Sequence, residues 1–524
     1  MKKVQLTLLE TSDVHGNVLP LNYGTNQPAE LGLAKLATLI KKEKKTAEHL
    51  LLIDNGDVIQ GTPLTYHYAR FNHELPNPMI EILNALDYQA AVFGNHEFNY
   101  GLPLLKRAVE DSHFPWLSAN LLNKETREPY FGKPYLLKKI ENGPTVAILG
   151  LTTKYIPNWE KEEHIHGMEF ADVIETAQKW VPFLKDKEGA DVVVIAYHGG
   201  FERDLETGEP IEILTGENQG YELCQKVEGF DVLLTGHQHQ LIEGQTVNNV
   251  LVVQPGSTGI KLGKVTLVAE ATANGWTVTD KQSELLSVEG VEPDPAVLRI
   301  IAPYEEAVQK WLDQPIGHIK GDMIVRDHLA IRLQDNALIE FINKVQIEIA
   351  GVNISNTALF DNHVPGFPQN VTMRSVVGNY IYPNTLVVLR VKGKDIKAAL
   401  ERSASYFQVD EKGEIGVSPA FLKPKPQHFN YDMWEGIDYE IDARKPVGER
   451  ITRLDYQGHP LDLERDYEIV LNNYRAAGGG DYLMYQGKEI VKEIPIDVSE
   501  LIANFIIERK VIEPTVNGNW KVIY

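Results

Sequence analysis

Five short stretches of this sequence carry side chains suited to holding metal ions. They are Ser12-Asp13-Val14-His15-Gly16, Asn55-Gly56-Asp57, Gly94-Asn95-His96-Glu97, Tyr197-His198-Gly199-Gly200 and Thr235-Gly236-His237-Gln238-His239. The candidate ligands are the imidazoles of His15, His198, His237 and His239, the carboxylates of Asp13 and Asp57, and the amide of Asn95. A mixed nitrogen and oxygen set suits Mn, Zn, Fe or Co better than Ca or a thiolate-seeking metal. Seven ligands are more than one ion uses, so the set implies two divalent ions with one carboxylate bridging. Two such ions against two aspartates leave a site charge of about +2, which attracts a phosphate; ions roughly 3.5–4 Å apart make a nucleophile from water and stabilise the attacking and leaving oxygens of a phosphoester. Each motif alone is weak, and Asn-Gly-Asp is ordinarily a turn. Their weight lies in a shared setting, each just after a predicted strand. His67, His73, His113 and His164 lack that setting and read as surface or packing residues.

The elements that must position these residues alternate along the first half. β-rich apolar runs predict strands over 4–9, 50–53, 90–93, 146–151, 192–196, 232–234 and 250–253. Helical spacing recurs over 31–45, 79–86 and 102–109. Strands alternating with helices predict an α/β layered domain, with ligands beyond the carboxyl ends of the strands. The expectation is that the seven side chains meet at the rim of a single sheet. Near residue 290 the texture changes, with prolines at 293, 295, 303 and 315. Pro295 suits the first turn of a helix, Pro303 would kink it and Pro315 would stop it. The division expected is therefore a domain over 1–290, a helical linker over 291–317 and a second α/β domain over 318–524. The alternative is that the linker helix packs as an ordinary helix on the first domain. In the second domain helices are expected over 336–346, 394–406 and 499–510, and strands over 386–391, 437–441 and 467–471.

Composition bounds the remaining classes. At about 150 residues per domain, 524 residues allow roughly three domains or two large ones. Lys and Arg number 51 against 73 Asp and Glu, a net charge of −22. That argues against binding a nucleic-acid polymer through a broad basic surface. It leaves room for a small phosphorylated molecule at one cationic site. Cys224 is the single cysteine, which removes an intrachain disulfide and a cysteine-based metal cluster. No apolar run approaches the ~18 residues of a membrane helix. The first residues, MKKVQLTLLETSDVHG, lack the apolar core of an export signal. The expected location is cytoplasmic, with an exported, trimmed form left open, and the oligomeric state is open too.

DVHG, NGD, GNHE, HGG and GHQH, in this order, resemble the calcineurin-like metallophosphoesterases. Tyr382-Pro383-Asn384-Thr385-Leu386, Val391-Lys392-Gly393, Asn472-Asn473-Tyr474-Arg475 and Gly478-Gly479-Gly480-Asp481 look like the C-terminal domain of the 5′-nucleotidase family. The resemblance implies a four-layer α/β/β/α sandwich followed by an α/β domain of the 5′-nucleotidase type. It implies one ion on Asp13, His15, Asp57 and His239 and another on Asp57, Asn95, His198 and His237, with Asp57 bridging. His96 would be catalytic, stabilising the phosphoryl group or assisting the leaving oxygen. Tyr382 and Tyr474 would clamp a nucleobase, a contact worth about 1–3 kcal/mol that tolerates different bases. The alternative for each tyrosine is a core aromatic with a satisfied hydroxyl. Asp481 would hydrogen-bond the nucleoside.

Two departures from the family pattern point to a branch. After GNHE many 5′-nucleotidases continue Phe-Asp, and that carboxylate orients the histidine; here Asn99 follows Phe98. The loop that elsewhere supplies a phosphate-binding arginine corresponds to Asn353-Ile354-Ser355-Asn356-Thr357-Ala358-Leu359-Phe360, which has none. Losing a cation suits a less charged substrate. With Asp335-Asn336-Ala337-Leu338-Ile339, these features resemble the 2′,3′-cyclic-nucleotide 2′-phosphodiesterase/3′-nucleotidase branch. The implied activity opens a cyclic nucleotide to the 3′-monophosphate and then releases the nucleoside. With the ions on one domain and the clamp on the other, turnover would require the two to close together. The alternatives are a 5′-nucleotidase or UDP-sugar hydrolase with the same metals, and a non-catalytic nucleotide-binding protein.

Overall fold

Alternation of buried side chains decides the architecture of the first half. In strand Thr145–Thr152, Val146 and Ile148 enter one apolar cluster while Ala147, Leu149 and Leu151 enter another. Strand Val192–His198 divides in the same way, Val192, Val194 and Ala196 against Val193, Ile195 and Tyr197. A strand that is apolar on both faces must be covered on both. One face here meets a second sheet, through Leu6, Leu8, Leu51, Ile53, Ala90 and Val92. The other meets helix Val173–Asp186, which buries Val173, Ala177, Val181 and Leu184. The outcome is the four-layer α/β/β/α sandwich.

The structure, a computed structural model, describes residues 2–524 except Trp159, Ile213, Asn274, Pro383, Pro424 and Pro495. Pro383 of the 382–386 motif thus lies outside the described residues. The chain divides into two compact units, one formed by the residues up to Asn22 with Gln27–Val308, the other by Tyr23–Asn26 with Gln309–Tyr524. Among the described residues no helix is long and apolar enough to cross a membrane.

The first unit holds two 6-stranded sheets. In one, Lys3–Thr11, Leu50–Asp54, Ala90–Val92 and Trp116–Leu117 run parallel in that order. In the other, Val250–Pro255, Val232–Thr235, Val192–His198 and Thr145–Thr152 run parallel. Three of the metal-type motifs follow neighbouring strands of the first sheet, where Thr11 pairs with Asp54 and Asp54 with Ala91. The other two follow neighbouring strands of the second, where Tyr197 pairs with Thr235. The expectation of a single sheet is therefore corrected: the loops come from the carboxyl ends of two facing sheets. Strand ends are visible in a sequence, but the sheet each strand joins is set by pairing between distant segments.

The predicted strands and helices of both units have counterparts within a few residues. The hairpin of Lys261–Thr272 and Gly275–Ser287, which extends the first sheet antiparallel to Lys3–Thr11, was not among the expected strands. Helix Pro295–Leu312 begins under Asp294, whose Oδ1 accepts from the N–H groups of Ala296 (2.9 Å) and Val297 (3.1 Å), and it runs through Pro303. Pro315 opens the next strand, Pro315–Ile319.

The second unit is built on a 5-stranded sheet ordered Asp432–Glu435, Ile354–Ala358, Asp466–Asn472, Leu386–Lys392 and Glu489–Ile494. Helix Ala337–Ala350 packs on it with clear end signals. Asn336 Oδ1 accepts from Ile339 N–H at 3.1 Å, and Gly351 closes the helix in the left-handed conformation.

Ile148 is fully buried between the two sheets of the first unit. Ile148→Ala is expected to destabilise that unit by about 2–5 kcal/mol. Thermal unfolding followed by calorimetry should show a lower first transition, and an unchanged midpoint would contradict the assigned core.

Candidate metal centre

The loops that carry the motifs adopt a backbone that most residues avoid. Asp13, His15, Asp57, His237 and His239 all have positive φ, between 48° and 68°. Such non-glycine conformations cost roughly 1–2 kcal/mol each and concentrate at functional sites. Close approach adds a second demand. A Cβ on Gly94 would fall 2.6 Å from the Asp57 backbone nitrogen and 2.7 Å from His198 Cε1, so the loops meet here only because residue 94 is glycine.

The structure brings all seven candidate ligands and His96 together. His239 Nε2 lies 3.3 Å from Asp13 Oδ1, and His15 Nε2 lies 3.1 Å from His239 Nε2 and 3.9 Å from both Asp13 Oδ1 and Asp57 Oδ2. On the far side of Asp57, His198 Nε2 is 3.2 Å from Oδ2. Asn95 Oδ1 stands 2.8 Å from His237 Nδ1 and 3.3 Å from His198 Nε2. The groups Asp13–His15–His239 and Asp57–His198–His237 each have ligand atoms within 4.8 Å of one another, and Asp57 also groups with His15 and His96. Asp57 thus adjoins both halves of the cluster.

Hydrogen bonds turn the right nitrogens inward. His198 Nδ1 is 2.7 Å from the carbonyl of Asn55, which can only accept, so Nδ1 carries the proton and Nε2 offers a lone pair. His237 is turned the other way. Its Nε2 lies 2.9 Å from Glu217 Oε1, leaving Nδ1 for the cluster. The Glu217 backbone is itself held, its carbonyl accepting from Thr153 Oγ1 (2.6 Å) and Tyr197 Oη (3.2 Å). Glu97 ties the loops to one another, accepting from the N–H groups of Asp57 (2.8 Å), Val58 (2.8 Å) and Gly94 (2.6 Å). The sequence shows Glu97 inside a motif without this role. Glu217 follows no strand and carries no motif signal.

The electrostatics fit cations. Asp13 and Asp57 are buried, and their ion-pair partners among the described residues are histidines alone. Burial works against both carboxylates, yet the neighbouring histidines hold them below the usual range. Burial keeps His15 neutral, down to about 3, which is the form that coordinates. Burial also opposes charge on His198, but Asp57 and Asp13 push it up to about 10, the sign of a site short of positive charge. Behind the cluster, burial first and then neighbouring carboxylates push Asp54 up to about 8 and Glu10 well above its ordinary value. Burial thus disfavours charge on those acids, whereas the histidines favour it on Asp13 and Asp57.

The other residues singled out in the sequence lie in the second unit. Tyr382 and Tyr474 both adjoin Phe429, at ring distances of 6.1 and 6.4 Å. A Cβ on Gly479 would fall 2.5–2.7 Å from atoms of the Tyr474 ring, so that glycine lets the ring lie against the backbone. Asp481 Oδ2 accepts from Arg402 at 3.0 Å. The stretch 353–360 has no arginine of its own, but Arg332 reaches it, donating to the carbonyl of Leu359 at 2.8 Å and to Asn362 Oδ1 at 2.9 Å. Arg332 is 1% exposed and so serves packing.

Glu97→Ala would leave four buried N–H groups, those of Asp57, Val58, Ile59 and Gly94, without this acceptor. The expected cost is at least about 3 kcal/mol, read as a lower unfolding midpoint in chelator-treated protein. An unchanged midpoint would show that the loops do not depend on this carboxylate.

Comparison with known proteins agrees with this geometry. The profile of the family described as Calcineurin-like phosphoesterase matches residues 6–241, and that of the 5'-nucleotidase, C-terminal domain, matches residues 315–487. The chain is 30% identical to a Haemophilus influenzae protein named 2',3'-cyclic-nucleotide 2'-phosphodiesterase/3'-nucleotidase, over 99% of this chain and 88% of that one. It is 28% identical to the trifunctional nucleotide phosphoesterase protein YfkN of Bacillus subtilis, over 99% of this chain but only 39% of that longer protein. Among solved structures, a Staphylococcus aureus chain assigned as a 5'-nucleotidase, in complex with alpha-ketoglutarate, superposes with a TM-score of 0.90 at 35% identity, over 99% of this chain and 100% of that one. The chain belongs to the calcineurin-like metallophosphoesterases that carry a 5′-nucleotidase C-terminal domain.

Proposed function

We propose that the protein hydrolyses nucleotide phosphoesters at a two-ion centre, opening 2′,3′-cyclic nucleotides to 3′-nucleotides and then removing the 3′ phosphate. The observation that carries this reading is the position of Asp57 between two ligand groups, because two-ion hydrolysis needs one oxygen ligand within reach of both ions. The printed names of the Haemophilus influenzae and Bacillus subtilis relatives support a nucleotide substrate. The absence of an arginine within 353–360 supports a diester over a terminal monophosphate.

In this reading Asp13, His15, Asp57 and His239 hold one ion, and Asp57, Asn95, His198 and His237 hold the other. The nitrogen and oxygen donors suit Mn, Zn, Fe or Co. When bound, such a pair supplies Lewis acidity toward phosphoryl oxygens and a more acidic water. The chain's own residues do the rest. The Asn55 carbonyl and Glu217 orient His198 and His237. His96 has a ring nitrogen within 4.8 Å of the ligand atoms of His15 and Asp57. With Nδ1 turned to Asn99, Nε2 is the nitrogen left to face the substrate, and in the imidazolium form, with both nitrogens protonated, it donates to a phosphoryl oxygen or to the departing 2′ oxygen. Tyr382 and Tyr474 supply aromatic faces for the base, and Asp481 offers a carboxylate to the nucleoside.

Rates on 2′,3′-cyclic AMP, 3′-AMP, 5′-AMP and UDP-glucose with added Mn²⁺ test the substrate. The cyclic nucleotide and 3′-AMP are expected to turn over fastest. Dominant 5′-AMP hydrolysis, the reading favoured by the Staphylococcus aureus likeness, would replace the branch while keeping the metal centre. Glu217→Gln should weaken metal retention about tenfold, measured as bound metal after dialysis; full retention would remove Glu217 from the support of His237.

A further inference from the structure

A chain of hydrogen bonds leads from His96 away from the metal cluster. His96 Nδ1 is 2.7 Å from Asn99 Oδ1, Asn99 Nδ2 is 2.6 Å from Glu160 Oε2, and Glu160 Oε1 is 2.8 Å from His164 Nδ1. Lys161 N–H also donates to Glu160 Oε1, at 2.9 Å. The Glu160 side chain is only 7% exposed. Two donors therefore fix one of its oxygens, and the other is aimed at the amide.

The direction of this chain follows from what each group can do. An ionised carboxylate only accepts, so Asn99 must turn its NH2 group toward Glu160. The Asn99 carbonyl oxygen then faces His96, and His96 Nδ1 must carry the proton. That leaves Nε2 as the nitrogen free to meet substrate. Without the carboxylate, no other hydrogen-bond partner among the described residues distinguishes the two ends of the amide. A turned amide would present NH2 to Nδ1 and force the opposite tautomer. The carboxylate also polarises the amide through two short bonds in series, which strengthens the pull of Oδ1 on the imidazole proton.

We propose that Glu160 is a positioning residue for phosphoester hydrolysis: acting through Asn99, it fixes the tautomer and orientation of His96 and supplies the negative charge that the amide lacks. This rests on the role given to His96 above. It also resolves the departure at residue 99, since the charge is displaced by one residue and comes from a loop 61 positions away. The competing account is that Glu160 merely ties its own loop through Lys161 and His164.

The test uses Glu160→Gln, Asn99→Asp and the double variant, each in the full chain. Rates are measured on 2′,3′-cyclic AMP and on bis(p-nitrophenyl) phosphate, bound metal is counted, and the His96 tautomer is read by ¹⁵N NMR of the histidine-labelled Zn²⁺ form. Glu160→Gln should lower kcat about 10- to 100-fold on both esters, with KM and bound metal unchanged and with Nδ1 of His96 no longer held protonated. The double variant should regain most of that loss, because a carboxylate at position 99 accepts from Nδ1 directly. Asn99→Asp alone should stay below the double variant, because it sets two carboxylates against each other. An unchanged kcat and tautomer in Glu160→Gln would overturn the proposal, as would a loss that the second substitution does not recover. If bis(p-nitrophenyl) phosphate shows this pattern while the cyclic nucleotide is not hydrolysed at all, the relay stands and the nucleotide reading falls. The tautomer is read without turnover, so it decides the relay even if neither ester reacts.

Discussion

Two buried carboxylates whose ion-pair partners among the described residues are histidines alone set the terms for the rest of the first unit. Asp13 and Asp57 are 0% and 1% exposed, and histidines are the partners that face them. Removing such charges from water costs several kcal/mol per group unless a compensating charge is close. Neutral imidazoles compensate poorly, and Asp57 and Asp13 push His198 up to about 10 against the effect of burial, so this point favours positive charge. Cations at this point would satisfy both aspartates at once and turn an electrostatic liability into a binding site.

Other features of the unit serve this constraint. Five ligand positions take left-handed backbone so that their side chains converge. Glu97 gathers the strained loops by accepting their N–H groups, and Gly94, like Gly56 and Gly236, leaves out a Cβ that would hold them apart. Burial and neighbouring carboxylates disfavour charge on Glu10 and Asp54 behind the cluster. The facing sheets give this arrangement a rigid base, since each loop leaves a strand buried on both sides. Proteins commonly trade stability for function at such points.

Much of this could be read from residues alone because each ligand motif ends a short apolar strand. That local signal gave the strands, the four-layer fold through its family likeness, and the residues that meet. Pairing between strands of distant segments carries no local signal, so Tyr197 and Thr235 were expected on the same sheet as Thr11 and Asp54 and instead lie on a second sheet. Glu217 and Glu160 escaped for a different reason. Each sits in an irregular loop, and its importance comes from one hydrogen bond to a residue far along the chain. His164 illustrates the same limit, a histidine with no motif around it that proves to hold Glu160. In the second unit the tyrosines were legible as motif residues, whereas Phe429, which lies within ring contact of both, had no such mark.

The most direct measurement is anomalous diffraction from crystals of the protein grown with Mn²⁺. The account predicts two peaks about 3.5–4 Å apart, with Asp57 touching both, Asp13, His15 and His239 on one, and Asn95, His198 and His237 on the other. A single peak, or ions bound away from Asp57, would contradict it.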